Sequence, residues 1–101
     1  MKVVQELKLS SKNILYHELI GLRIRVLSYT DEKLNGLEGV VVDETLKTLL
    51  LETSSGRRIR VLKPNGVFEF KLPSGEVAVI KGDLILGRPA ERLKRAKRWF
   101  K

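Results

Sequence analysis

The sequence predicts an all-β fold: a small, twisted antiparallel barrel of five or six short strands with a short helix at each end. Three observations lead there. Short runs that alternate apolar and charged residues recur along the chain. Gly, Pro, Asn and Ser punctuate them about every ten residues. The 43% of hydrophobic residues is dominated by Val, Ile and Leu, with only six aromatics among 101 residues. Such spacing suits a meander of strands rather than strands alternating with long helices.

Residues 1–12 have no strong period and read as a flexible N-terminal arm. Ser11 is placed to cap a helix running through Leu19, with Leu15 and Leu19 four apart on one face, and Gly21 breaks it. Residues 22–26 (Leu-Arg-Ile-Arg-Val) put apolar side chains on one side and arginines on the other. Asn35-Gly36 is a turn signal. Residues 39–43 and 48–53 form two aliphatic runs whose short connection predicts a hairpin. Residues 57–62 repeat the Arg/apolar alternation after Ser54-Ser55-Gly56. Pro64-Asn65-Gly66 leads into 67–71, and Pro73-Ser74-Gly75 into 76–80. Leu84-Ile85-Leu86-Gly87 is an apolar bridge, and Pro89 suits the first turn of a closing helix. The expected organisation is therefore an arm (1–12), a barrel domain with its leading helix (13–87) and a basic C-terminal helix (88–101).

Charge is the strongest functional signal. The last fourteen residues hold seven cations (Arg88, Arg92, Lys94, Arg95, Lys97, Arg98, Lys101) against the single acid Glu91, so most of the formal net charge of +8 lies there. Cations gathered on one short segment suit nucleic-acid phosphates, whose condensed counterions are released on binding. Arg23 and Arg25 share one strand face, and Arg58 and Arg60 share another. The RNA-binding set expected from charge is Arg23, Arg25, Arg58, Arg60, Arg92, Lys94, Arg95, Lys97 and Arg98. With few aromatics for stacking, recognition should lean on phosphate and shape.

The chemistry of an enzyme is absent. There is no cysteine, which removes thiolate zinc sites, disulfides and cysteine nucleophiles together and fits a reducing compartment. His17 is the only histidine and reads as structural or surface-exposed rather than catalytic. The pairs Asp31-Glu32 and Asp43-Glu44 are adjacent residues whose side chains diverge, so no metal site is expected. No catalytic residue and no bound cofactor are expected. With no signal peptide or membrane-length apolar run visible, a cytoplasmic location follows as an expectation.

Three blocks are specific in combination: His17-Glu18-Leu19-Ile20-Gly21, Val42-Asp43-Glu44-Thr45, and Arg88-Pro89-Ala90-Glu91-Arg92. Together with Thr48 to Glu52, Val61-Leu62-Lys63 and Phe68-Glu69-Phe70, their order resembles the archaeal ribonuclease P protein component 1 family, counterpart of the eukaryal p29 subunit. The resemblance covers roughly residues 13–95. It implies an Sm-like barrel with terminal helical extensions and a non-catalytic subunit of the enzyme that removes the 5′ leader from precursor tRNA. It further implies that the RNA subunit carries catalysis and uses Mg²⁺. This chain would support the folding of that RNA and substrate binding, meeting precursor tRNA indirectly. Its implied partners are ribonuclease P RNA, a zinc-ribbon protein subunit and the other ribonuclease P proteins. In isolation a monomer is expected. For the protein partner, the apolar residues Leu15, Leu19, Leu93, Ala96, Trp99 and Phe100 are the expected contacts. A second reading is an Sm-like ring-forming RNA-binding protein, because 39–43 with 49–52 and 80–85 resemble the two Sm motifs. Lys47 stands where ring proteins place a base-contacting Asn, which weakens that reading.

Overall fold

In the computed structural model, residues 13–99 are described, with side chains through residue 95. Six strands form one antiparallel sheet: β1 (Arg23–Tyr29), β2 (Glu38–Glu44), β3 (Thr48–Glu52), β4 (Arg58–Leu62), β5 (Gly66–Lys71) and β6 (Val77–Lys81). One helix, α1 (Pro89–Trp99), closes the described chain. The strand order is β4-β3-β2-β1-β5-β6. The all-β class and the expected strands are all present. No helix among the described residues is long and apolar enough to cross a membrane.

The alternation read in the sequence sets the two faces of the sheet. Ile24, Val26, Val41, Leu49, Leu51, Val61, Phe68, Phe70, Ala78 and Ile80 point inward and are buried, while the arginines between them point out. No ladder joins β4 to β6; the turns that follow these two strands pack against each other instead. The Leu62 N–H at the end of β4 donates to the Tyr29 hydroxyl of β1 at 2.9 Å. After β6, Gly82 lies directly on the Lys63 carbonyl, so any Cβ there would overlap that oxygen.

The N-terminal helix is shorter than expected. Only a 3-10 turn, Ile14–Tyr16, forms, because His17 is already extended (φ −94°, ψ 160°). A helix this short gains little from propagation. Leu15 and Leu19 therefore do not share a helical face. Leu19 is fully buried in the core with Ile14, and Leu15 only packs against its edge. The Ser11 cap and the arm lie outside the described residues.

A bulge in β2 changes which residues face the core. Val41 pairs with Leu51, but the next pair is Asp43 with Leu50. Two residues, Val42 and Asp43, thus oppose one, and the side-chain alternation resumes one residue late. In a regular strand of the same sequence, Asp43 would point inward. With the bulge, Glu44 does, at 8% exposure.

Glu44 is met inside by two cations. Its Oε2 accepts from Lys63 Nζ at 2.8 Å and from Arg92 Nη1. Both cationic side chains are buried, and Oε1 of Glu44 has no hydrogen-bond partner among the described residues. The remaining donors reach backbone carbonyls. Lys63 Nζ donates to Thr45 at 2.8 Å, Leu46 at 3.3 Å and Gly87 at 3.0 Å. Arg92 donates to Leu15 at 2.7 Å, His17 at 2.6 Å, Ile85 at 3.3 Å and Gly87 at 2.6 Å. One buried cluster thereby joins the 14–16 turn, the β2–β3 connection, the segment after β6 and α1. Arg92 was expected to face RNA; it is instead 2% exposed, and its guanidinium holds the terminal elements to the sheet. Full burial of a guanidinium requires this density of acceptors.

The cluster generates two predictions. Glu44→Gln keeps the shape but leaves two buried cations without a counter-charge, so chemical denaturation should show a loss of about 3–5 kcal/mol. A loss comparable with that of a surface carboxylate would refute the buried cluster. The second prediction concerns pH. Burial lowers the pKa of Lys63 below 10.5, outweighing the opposing pull of Glu44. In the window between the lowered value and 10.5, the unfolded chain binds more protons than the folded one, so this residue makes stability rise with pH. Wild type should therefore gain stability relative to Lys63→Met as alkaline pH approaches 10.5, as measured by denaturant titration at fixed ionic strength. A difference that stays flat or falls would contradict the assignment.

Candidate nucleic-acid interface

The strand arginines do not gather into one basic patch. In the sheet, β1 and β4 are separated by β2 and β3. Following the register, Arg23 lies beside Val40, Val40 beside Glu52, and Glu52 beside Arg58. Carboxylates are interleaved. Arg25 sits between its two cross-strand neighbours, Glu38 at 2.8 Å and Glu69 at 3.9 Å, and Arg58 is 3.4 Å from Glu52. A broad groove of about 540 Å³ over this face balances Arg23, Arg25 and Lys71 against Glu38, Glu52 and Glu69. Exposed pairs of this kind add little stability, but they cancel the field that would attract a polyanion.

A second region keeps its positive charge. It is built where the β2–β3 turn meets the start of α1. Thr45 Oγ1 accepts from the Thr48 N–H at 3.0 Å, which closes the turn and presents Leu46 and Lys47 at its tip. Both tip residues are exposed. Arg60 of β4 reaches the same turn, donating to Thr48 Oγ1 at 2.9 Å. On the helix side, Gly87 donates to the Leu46 carbonyl at 2.8 Å, binding the two elements together. Gly87 has φ +95°, a conformation that costs glycine little.

In the first turn of α1 the single acid of the helix is directed to the backbone rather than into an ion pair. Pro89 opens the helix, and the Glu91 carboxylate reaches back to accept the Arg88 N–H at 2.6 Å. That is the return half of a capping box. Lys94 and Arg95 are left exposed without an acid partner among the described residues; Arg95 donates only to the Leu86 carbonyl, at 2.6 Å. Lys47 and Arg60 at the turn, with Lys94 and Arg95 on the helix bound to it, make up a cationic margin. Leu46, Leu86, Gly87, Glu91, Lys94 and Arg95 line an open cavity of about 320 Å³ within it.

Of the expected RNA-binding residues, Arg60, Lys94 and Arg95 lie on this margin. Arg25 and Arg58 are paired with acids, Arg23 lies on the balanced face, and Arg92 is buried. Lys97 and Arg98 have side chains outside the described residues, as do Ala96 and Trp99, and Phe100 lies outside altogether. Among the expected partner contacts, Leu93 is 42% exposed and Leu15 half-buried, and α1 packs against the 14–16 turn that carries Leu15. Leu19 belongs to the core and is not available to a partner. His17 contributes its backbone carbonyl to Arg92. Sequence reasoning missed Glu44 and Lys63 as structural residues and Leu46 as a site residue. The available signal was that Glu44, Lys63 and Arg92 each fall in a block that carried the family resemblance.

The model of the family described as ribonuclease P/MRP, subunit p29, matches residues 12–95. The ribonuclease P protein component 1 of Desulfurococcus amylolyticus is 59% identical over 92 residues, covering 91% of this chain and 100% of that protein. That of Staphylothermus marinus is 64% identical over 83 residues, covering 82% and 90%. Among solved structures, Mth11, described as a homologue of human RNase P protein Rpp29, superposes with a TM-score of 0.56 at 45% identity, covering 75% of this chain and 97% of its own. On the strength of the family match and these relatives, the chain belongs to the p29 subunit family of ribonuclease P/MRP.

Proposed function

We propose that this ribonuclease P protein component is a non-catalytic, RNA-binding subunit that acts through the cationic margin between the β2–β3 turn and α1. The observation that carries this reading is the contrast in charge compensation. Lys47, Arg60, Lys94 and Arg95 have no acid partner among the described residues, whereas Arg25 and Arg58 do. Cations already paired with carboxylates release few counterions on meeting RNA, while free ones bind phosphate directly. Neutralising phosphates would allow the ribonuclease P RNA to fold at lower Mg²⁺, with catalysis and Mg²⁺ belonging to that RNA. A zinc-ribbon subunit is the proposed protein partner, seated on the apolar stretch around Leu15 and Leu93. The other ribonuclease P proteins complete the cytoplasmic assembly, and precursor tRNA is met indirectly.

Two measurements test this. Removing charge at Lys94 and Arg95 together should weaken binding to ribonuclease P RNA. It should also reduce the salt slope by about 0.7–0.9 for each phosphate that is no longer neutralised. The pair Arg25→Gln and Arg58→Gln should change both far less. Equal effects from the two pairs would overturn the assignment of the margin. For the subunit role, precursor-tRNA cleavage is followed at limiting Mg²⁺ with RNA and the other proteins, with and without this chain and its zinc-ribbon partner. A lower Mg²⁺ requirement on addition supports the role; no change in a demonstrably assembled complex refutes it.

A further inference from the structure

We propose that the cavity between the β2–β3 turn and α1 is a pocket for one unpaired RNA base. The inference rests on the RNA-binding reading above and makes it specific: the margin would take RNA where a nucleotide is bulged or looped out, not along uniform duplex.

The chemistry of the walls points to that occupant. Leu46 is 40% exposed at the tip of the turn, and Leu86 lines the same cavity with Lys94 and Arg95. Apolar side chains at the centre of a charged margin suit a ligand with an apolar face and an anionic backbone. An unpaired nucleotide has both. Its base can lie against the leucines while its phosphates meet Lys94 and Arg95 at the rim, and an arginine beside the opening can also stack on a base. The only acid among the described lining residues, Glu91, is engaged with the Arg88 N–H. A volume of about 320 Å³ leaves room for a base, and an A-form duplex has no free base face to offer.

The site is also built rather than incidental. Its two walls belong to segments about forty residues apart in sequence, and Lys63 fixes both from within. The buried ammonium donates to the Leu46 carbonyl on one wall and to the Gly87 carbonyl on the other, while the Gly87 N–H donates back to Leu46. A Cβ at residue 87 would stand 3.1 Å from Arg95 Nη1, so glycine also keeps that side chain free to sit at the opening. A pocket held open by buried donors loses little conformational freedom when it is filled.

The test uses the full chain and two labelled RNAs, a short perfect duplex and the same duplex with a single-nucleotide bulge, followed by fluorescence anisotropy. Wild type should prefer the bulged RNA by about tenfold, the scale of one stacked base. Leu46→Ala, at an exposed turn position, should abolish the preference, so that the two RNAs bind alike. The charge-removing variants at Lys94 and Arg95 should weaken binding to both RNAs. If wild type binds both RNAs equally, or Leu46→Ala retains the preference, the base pocket is refuted and the RNA-binding margin stands. If loss of charge at Lys94 and Arg95 leaves binding unchanged, the margin itself is refuted, and the pocket with it. Circular dichroism of Leu46→Ala checks folding. Should that variant misfold, Leu46→Asn, polar and suited to a turn, replaces it with the same outcomes.

Discussion

The buried carboxylate of Glu44 is the constraint from which the rest of the architecture follows. A charge taken out of water must be met by opposite charge and by hydrogen bonds, or it does not stay charged. Here it is met by Lys63, in the turn after β4, and by Arg92, in α1. Those two cations must in turn be satisfied. They draw in carbonyls from the 14–16 turn and His17, from the β2–β3 connection, and from the segment leading into the helix. The segments so joined also send Ile14, Leu19 and Ile85 into the core, and the ionic cluster adds direction to that packing.

The division between neutralised and free cations gives the molecule its polarity. Over the outer face of β1, β2 and β5, positive side chains alternate across strands with carboxylates, and the field there is close to cancelled. At the junction of turn and helix, Glu91 and Glu44 form no ion pair with the exposed cations. Glu91 caps its own helix and Glu44 is turned inward. The same count of basic residues would make a weaker polyanion surface if either acid were exposed and unengaged beside them. A binding surface is thus defined partly by where its acids have been placed.

Strand positions and the inward or outward sense of most residues were legible from the sequence, because period-two alternation and turn residues report directly on local geometry. Pro89 likewise marked the start of α1. What was not legible depended on long-range placement. Arg25 and Arg58 look equivalent to Arg60 in sequence, yet their neutralising neighbours come from other strands and require the register. Arg92 looked like one more cation in a basic run. Nothing local separates it from Lys94 or Arg95, since its burial is decided by a carboxylate 48 residues away. Leu15 and Leu19 had helical spacing, but the core took Leu19 and the backbone extended at His17. The inward turn of Glu44 was hidden for a different reason: alternation counted from Val41 assigns it to solvent, and only the bulge reverses that.

That bulge makes the length of β2 part of the code. Between Val41 and Glu44 the chain carries two residues where strict pairing would have one, and this surplus sets the sense of everything after it. Substitutions at Val42 alter a half-buried side chain and leave the count intact. Loss of a single residue there would remove the bulge and still leave Glu44 on the side of Val41, whereas gain of one would shift the phase, sending the carboxylate outward and stranding two cations in a closed interior. The family should therefore tolerate considerable change in composition along this strand, and far less readily the gain of a residue between Val41 and Glu44.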